Sequence, residues 1–334
     1  MVIIMKNKNK NLKIIIIFVS VIVLLIGGFF GYKALINSET GKNNKVEKVK
    51  SSITPVLYEV TKEGSNNKIY LFGSIHATKN NELVFSDYIM KAYNDSDYLA
   101  CEFDIIKYNN DFEKTMNDVM KMKYQDNTTV KDHMKEENYK KMVDFLKEKG
   151  VYSELYEVYR PVFFETLISQ LAVEEAGLSA EEGVDQYFLK KAKKDKKEIL
   201  EVESSDFQNN LLISFPDELY ELSIADIIDN YEENVSLLKK VYDYWKKGNE
   251  DRLLELDNEN IDIKDNYTEK QIEYINNYNK RIVDDRNDSM TEKVIEYFND
   301  NKDVFFMVGD FHIIGDTGIA KQLEKKGYTV KQVK

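Results

Sequence analysis

The chain has 334 residues with a formal net charge of −12, and 43% of its residues are hydrophobic. The first 50 residues hold nine lysines and two glutamates, so the acidic charge belongs to the rest of the chain. This charge argues against nucleic acid and anionic lipid as partners of that part. Cys101 is the only cysteine, which excludes an intramolecular disulfide and leaves stability to packing.

An uncharged apolar run occupies residues 14–32 and continues past Lys33 to residue 36. The run is long enough to cross a hydrocarbon core of about 30 Å at about 1.5 Å per residue. Four lysines precede it, which favours a cytoplasmic N-terminus. A cleaved signal peptide is the alternative, but the run exceeds the usual length of such a segment. We predict a cytoplasmic N-terminus (1–13), a single-pass cell-membrane anchor (14–36), a linker (37–52) and an extracytoplasmic domain (53–334).

The predicted domain opens with strands. Residues 56–60 and 68–72 are rich in Val, Tyr, Ile and Phe, and the turn-forming stretch between them predicts a β-hairpin. The second run stops at Gly73, which places His76 in the loop beyond the strand. A helical pattern over 85–93 and a buried run over 97–103 follow, as in a βαβ unit.

The middle of the chain is mostly helical. Apolar positions at helical spacing predict two or three amphipathic helices over 111–149 and a more apolar helix over 161–176. A helix over 182–194 leads to a third buried strand over 198–202. From residue 207 to about residue 300 the pattern is helical almost throughout.

The C-terminal part repeats the arrangement of strand and histidine. A buried strand over 304–308 ends at Gly309, and His312 follows three residues later, as His76 follows Gly73. His76 and His312 are two of only three histidines in the chain. Two matching Gly-x-x-His contexts therefore favour a shared site, although a lone histidine after a strand is commonly a hydrogen-bonded loop residue.

A helix over about 318–326 and a strand over 328–333 end the chain. No period of 20 to 50 residues is visible, which argues against a solenoid. The sequence predicts an α/β fold whose central sheet is mixed or largely parallel. A large helical insertion at about 207–300 splits the sheet in sequence.

Four predicted strands end in polar side chains, namely His76, Glu102, Glu203 and His312. Ligands of open α/β sheets bind beyond the carboxyl ends of the strands, so these groups converge if the strands are parallel neighbours. Two imidazoles and one or two carboxylates suit a divalent transition metal that leaves a position open for water. A spare carboxylate could then move a proton. The alternative for each glutamate is a cap of the next helix.

Other polar residues carry two interpretations each. Arg286 is either in a surface ion pair or a cation that reaches a substrate carboxylate. Asp185 is either an acceptor for a ligating imidazole or a charge at a helix N-terminus. His133 has no strand before it and is predicted to be a surface residue, and Cys101 a small core residue.

Five segments resemble the TraB/PrgY/GumN family, which also includes the Tiki proteases. They are LYEVTKEGSNNKIYLFGSIHAT, DYLACEFD, the stretch from RPVFF to EVES, DDRNDSM and VGDFHIIGDTGIAKQLEKKGYTV, and they occur in the family's order. The resemblance implies an EreA/ChaN-like α/β fold. In Tiki proteins the corresponding site looks like a manganese- or cobalt-dependent metalloprotease that trims N-terminal peptides. Bacterial members are also linked to pheromone shutdown.

Carried over by motif, the resemblance implies site positions for His76, His312 and Glu102, and corresponding positions for Arg286, Asp185 and Glu203. The sequence departs from the family at Asp310 within GDFH and at Arg160 before a proline. Asp310 either perturbs metal affinity or points outward.

The sequence therefore predicts a membrane-anchored, metal-dependent hydrolase, a peptidase of extracytoplasmic peptides that uses Mn, Co or Zn. The predicted catalytic residues are Glu102, Arg286, His76 and His312, and the predicted metal ligands are His76, His312, Glu102 and Glu203. Two alternatives stay open. One is a non-catalytic protein that sequesters a pheromone-like peptide or haem, and the other is an esterase-like enzyme in which a histidine is the base without metal.

Overall fold

The computed structural model describes residues 52–79, 82–259 and 267–334. Within these residues six strands form one sheet: β1 (Leu57–Thr61), β2 (Ile69–Ser74), β3 (Tyr98–Cys101), β4 (Glu198–Glu201), β5 (Val304–Gly309) and β6 (Thr329–Gln332). Their order across the sheet is β4-β3-β5-β2-β1-β6. Strands β4, β3, β5 and β2 pair in parallel with one another in that order, whereas β1 is antiparallel to both β2 and β6. The predicted mixed α/β architecture is confirmed.

Helices fill the connections before β4. They are α1 (Asp87–Asp95), α2 (Ile105–Asn110), α3 (Phe112–Met120), α4 (Val130–His133), α5 (Glu136–Glu148), α6 (Pro161–Glu175) and α7 (Val184–Asp195). Short 3-10 turns lie at Glu154–Tyr156 and Ala180–Glu182. The helices predicted within residues 111–149 thus correspond to α3, α4 and α5.

The described residues of the connection between β4 and β5 are mostly helical. It contains α8 (Ser205–Ile213), α9 (Asp217–Asp229), α10 (Tyr231–Trp245), α11 (Glu250–Glu259), α12 (Glu269–Asn279) and α13 (Asp285–Asn299). A π-helical turn, Lys280–Asp284, joins α12 to α13. After β5 come α14 (Asp310–Ile313) and α15 (Ile319–Lys325). His312 therefore lies in a short helical turn directly after its strand.

The centre of the sheet is buried, which explains why the residues of its strands are apolar. All six residues of β5, VFFMVG, are buried, as expected for a parallel strand covered on both faces. Phe72 of β2 and Phe305 of β5 pack with ring centroids 5.1 Å apart. In the parallel pairing Ser74 lies opposite Gly309, so the two Gly-x-x-His motifs leave the sheet side by side.

The N-terminal predictions concern residues that lie almost entirely outside the described part of the chain. The cytoplasmic segment (1–13), the anchor (14–36) and all of the linker except Ser52 lie outside the described residues. Among the helices that are described, none combines the length and apolar character needed to cross a membrane. The division of the chain into anchor, linker and domain stays a prediction.

Away from the sheet, Glu165 of α6 is a fully buried carboxyl, 0% exposed. Ser223 Oγ donates to its Oε1 at 3.3 Å, and its Oε2 has no hydrogen-bond partner among the described residues. Burial raises the pKa of Glu165 well above its ordinary value. The folded state therefore favours the neutral acid.

Glu165→Gln should change how stability depends on pH. Because the folded-state pKa is raised, wild-type stability is lost as pH rises from the unfolded pKa of about 4.3 toward the folded pKa. The amide does not titrate. As pH rises through this window, the free energy of unfolding of the variant should therefore increase relative to that of wild type. Urea unfolding from pH 4 to pH 8 measures the difference. Two parallel stability curves would contradict the assignment.

Candidate active site

The polar side chains at the four parallel strand ends meet at one edge of the sheet. Glu203 follows β4, Glu102 follows β3, His312 follows β5 and His76 follows β2, in the order in which these strands lie side by side. The side chains of Glu203, Glu102 and His76 are 5%, 4% and 4% exposed, so the site is almost closed to solvent. The predicted convergence of the four strand ends is therefore present in the structure.

His76 is held by a carboxylate through one ring nitrogen. Its Nδ1 lies 2.7 Å from Asp185 Oδ2, and Ser74 Oγ donates to Asp185 Oδ1 at 3.3 Å. A carboxylate can only accept, so Nδ1 carries the proton and Nε2 presents a lone pair in the neutral ring. That Nε2 is buried without a hydrogen-bond partner among the described residues. Burial lowers the pKa of His76, but the charge and hydrogen bond of Asp185 outweigh it and the pKa is raised.

His312 is held in the same way by an amide. Its Nδ1 lies 2.7 Å from Asn287 Oδ1, and Asn287 Nδ2 donates to Thr317 O at 3.0 Å. The second bond fixes the amide orientation, so Oδ1 accepts from Nδ1 and the Nε2 of His312 has the lone pair. Burial, together with the charge of Arg286, lowers the pKa of His312 to about 3. The imidazole is therefore neutral at neutral pH.

Glu102 lies beside the imidazole of His76 and binds a cation. Its Oε1 accepts from the Gly309 N–H at 2.9 Å and is 3.9 Å from His76 Nε2. Its Oε2 accepts from Arg286 Nη2 at 2.8 Å. Burial raises the pKa of Glu102, but Arg286 and then the two histidines more than offset this and lower the pKa to about 2. Glu102 is therefore ionised.

Arg286 binds both site glutamates and is itself 1% exposed. Its Nε donates to Glu203 Oε1 and its Nη2 to Glu203 Oε2, both at 2.9 Å. Its Nη1 donates to the carbonyl of Ile282 in the π-helical turn at 3.3 Å. The ion pair is thus buried rather than on the surface, and the guanidinium faces two protein carboxylates rather than a substrate.

Gln208 of α8 completes this network and was not predicted. Its Nε2 donates to Glu102 Oε2 and to Glu203 Oε2, each at 2.8 Å. The sequence places Gln208 five residues after a strand-end glutamate, but nothing in that spacing shows that its side chain reaches two carboxylates. Both oxygens of Glu203 are thereby bound to Arg286 and Gln208. Both oxygens of Glu102 are bound as well, but Glu102 Oε1 also lies 3.9 Å from His76 Nε2.

Asp310, the departure from the family pattern, packs against the first motif. It is 2% exposed, and a Cβ added at Gly73 would lie 1.7 Å from its Oδ1, so the Gly73 position requires glycine. Trp245 Nε1 donates to the carbonyl of Gly73 at 2.9 Å on the same motif. Burial and then Glu250 raise the pKa of Asp310 to about 8. The expectation that Asp310 points outward is wrong, because the close packing of the two motifs encloses it.

The two remaining candidates are where the sequence predicted them. His133 is exposed, where its ring stacks on Tyr124 with centroids 4.0 Å apart. Cys101 is 1% exposed within the core. Neither residue belongs to the site.

A divalent transition metal is implied by the resemblance, and the donors fit it in part. Within the part of the chain that is described, no three His, Cys, Asp or Glu side chains form a group that could hold a metal as they stand. His76 Nε2 and Glu102 Oε1 are 3.9 Å apart, and two donors at about 2.0–2.2 Å from one ion lie at most about 4.4 Å apart. The pair therefore fits one ion at a wide angle. Both imidazoles also have the anchored Nδ1 that metal-binding histidines usually have.

Comparison with known proteins finds one family that matches most of the chain. A model of the TraB/PrgY/gumN family matches residues 56–332. The chain is 23% identical over 181 residues to the uncharacterized protein YbaP of Escherichia coli (strain K12). The protein of the same name from Shigella flexneri matches with the same identity. These matches cover 54% of this chain and 64% of each relative. No solved structure matches the chain.

Proposed function

The chain belongs to the TraB/PrgY/gumN family, and from this membership and the geometry of its buried site we propose that it is a metal-dependent hydrolase. Its substrates in this proposal are peptides. The single observation that carries the proposal is the pair of anchored imidazoles. His76 and His312 each have Nδ1 bound to a fixed acceptor, 2.7 Å away in both cases, and each has the Nε2 lone pair left for a ligand.

The proposed ligand set is His76, His312 and Glu102. When bound, a divalent transition ion such as Mn, Co or Zn would supply Lewis acidity to a substrate carbonyl and to a water molecule. Glu102, with a pKa of about 2, is suited to hold a cation rather than to accept a proton, because a general base works best with a pKa near the working pH. Arg286 is a positioning residue in this proposal, since it binds Glu102 Oε2 while the Gly309 N–H binds Oε1.

A low exposure of the site increases the strength of every charge interaction in it. Glu102 and Arg286 have side chains that are 4% and 1% exposed, where electrostatic interactions are stronger than in water. Charge that develops on a substrate oxygen would therefore be stabilised more effectively than at the surface. The chain fixes these groups before any substrate arrives, because each makes two or more hydrogen bonds within the protein.

A second candidate function uses the same residues without metal. The His76–Asp185 pair, 2.7 Å apart, has the form of a general base and the group that orients it. In this alternative His76 Nε2 takes the proton of an attacking water, and the substrate is an ester or an amide. The raised pKa of His76 favours such proton transfer.

We further propose that the enzyme is anchored in the cell membrane by residues 14–36 and acts outside the cytoplasm. The uncharged apolar run and the lysines before it support this topology. Extracytoplasmic peptides are then the substrates within reach of the site.

The proposal is tested by incubating the purified full-length chain with a defined peptide mixture. We expect cleavage in the presence of Mn²⁺, Co²⁺ or Zn²⁺, loss of cleavage with a chelator, and recovery when the ion is returned. Mass spectrometry of the peptides provides the readout. Cleavage that persists after complete removal of metal would favour the metal-free base. Peptides that bind but are recovered intact would overturn the hydrolase and favour a sequestering protein.

A further inference from the structure

The amide nitrogen of Gln208 is bound in the site, whereas its amide oxygen has no partner in the part of the chain that is described. The residue is 3% exposed, and its Nε2 makes the bonds to Glu102 and Glu203 described above. Its Oε1 is buried and has no hydrogen-bond partner among the described residues. A buried acceptor without a donor costs free energy, so this atom calls for an explanation.

The orientation of the amide is determined by its neighbours. Both partners of Nε2 are carboxylate oxygens, which accept hydrogen bonds and cannot donate them. Exchanging the nitrogen and oxygen would place Oε1 against two carboxylates, which would repel it. The oxygen must therefore face away from the carboxylate oxygens of Glu102 and Glu203 that Nε2 binds.

Gln208 lies in the first turns of a helix that borders the surface. Phe207, its neighbour in α8, is 47% exposed, and Ser204 Oγ caps the helix by accepting from the Phe207 N–H at 3.1 Å. The buried amide is directly bonded to Glu102, the proposed ligand.

We propose that Gln208 is a specificity-determining residue whose Oε1 accepts a backbone N–H of the substrate. Substrates with a peptide N–H, rather than esters or tertiary amides, then satisfy the buried acceptor and are aligned beside Glu102. This inference rests on the proposed function, because it takes the site to be a peptide-binding one. It deepens that function by assigning the recognised group as a secondary amide.

The test uses a matched pair of probes and does not require turnover. N-acetylalanine methylamide has two peptide N–H groups, and its fully N-methylated counterpart has the same carbonyls but none. We expect wild-type full-length chain to bind the first probe about tenfold more tightly than the second, the range for one hydrogen bond to a neutral acceptor. Ligand-observed NMR titration measures both dissociation constants.

The matched variants are Gln208→Met and Asn209→Leu. Methionine keeps the length of the side chain without donor or acceptor, so the preference for N–H should fall to about unity. Asn209 is also a buried amide on the same helix, 6% exposed, but among the described residues its Nδ2 donates to Asp118 and Tyr108 rather than to the site glutamates. Asn209→Leu should therefore keep the preference. If Gln208→Met does not fold, Gln208→Asn serves instead, because its amide is one methylene too short and should also lose the preference.

The outcomes separate this inference from the hydrolase proposal. A wild-type preference that Gln208→Met abolishes supports the inference even if no peptide is cleaved, in which case only the hydrolase fails. Equal binding of the two probes by wild type, or no binding of either, overturns the inference. A preference that survives in Gln208→Met overturns it as well, whether or not peptides are cleaved.

Discussion

Arg286→Met should lower the free energy of unfolding by about 3–5 kcal/mol, the loss expected when one partner of a buried ion pair is removed. The guanidinium contacts Glu102 Oε2 at 2.8 Å and Glu203 Oε2 at 2.9 Å. Without it two carboxylates whose side chains are only 4% and 5% exposed lose the cation that both of them bind. Urea unfolding of the full chain at pH 7 measures the loss.

The control for Arg286→Met is a pair with the same charges at the surface. Lys68 and Glu59 are 2.9 Å apart with side chains 49% and 27% exposed, so Lys68→Met should cost no more than about 1 kcal/mol. Adding Glu102→Gln and Glu203→Gln to Arg286→Met removes the unpaired charges, so this triple variant should regain part of the lost stability. A loss for Arg286→Met no larger than that for Lys68→Met would contradict the buried network.

His76→Ala and His312→Ala should each reduce peptide hydrolysis by at least about 10³-fold, as expected for groups that act as one unit. Each substitution removes an Nε2 atom proposed to bind the metal. The Nδ1 atom of the same ring is already held by the protein. Initial rates with the peptide mixture at fixed metal concentration measure the effect. Because the groups act together, the double variant should lose little more than either single variant.

His133→Ala is the matched control for the two histidines. Its ring is exposed and bonds to Thr128 Oγ1 at 2.6 Å, so hydrolysis should stay within about twofold of wild type, as for most surface changes. Asp185→Asn tests the anchoring of His76, and a loss of about 10- to 100-fold is expected for a residue that orients a ligand. Full activity in His312→Ala would show that the second motif has no part in the reaction.

The sheet could be predicted because its physical signals are local. The apolar run before Gly309 is buried throughout, and such a run indicates a strand covered on both faces. The repeated Gly-x-x-His pattern then placed His76 and His312 at neighbouring strand ends, where Ser74 and Gly309 are in register. Asp185 was named as an acceptor for an imidazole, and its carboxylate lies 2.7 Å from His76.

The rest of the site depends on contacts that the sequence does not encode locally. Arg286 and Glu203 are 83 positions apart, and the rotation of α13 after the π-helical turn decides which carboxylates the guanidinium meets. Gln208 reaches Glu102 across 106 positions for the same reason. The burial of Asp310 likewise requires the close approach of Gly73 from a strand far away in sequence.

The most direct measurement is a calorimetric titration of Mn²⁺, Co²⁺ or Zn²⁺ into the metal-free, full-length chain. We predict that one of these ions binds with a stoichiometry of one per chain, and that His76→Ala/His312→Ala abolishes this binding while His133→Ala retains it. Wild-type chain that binds none of the three ions, or a double variant that binds as tightly as wild type, would contradict the proposed metal site.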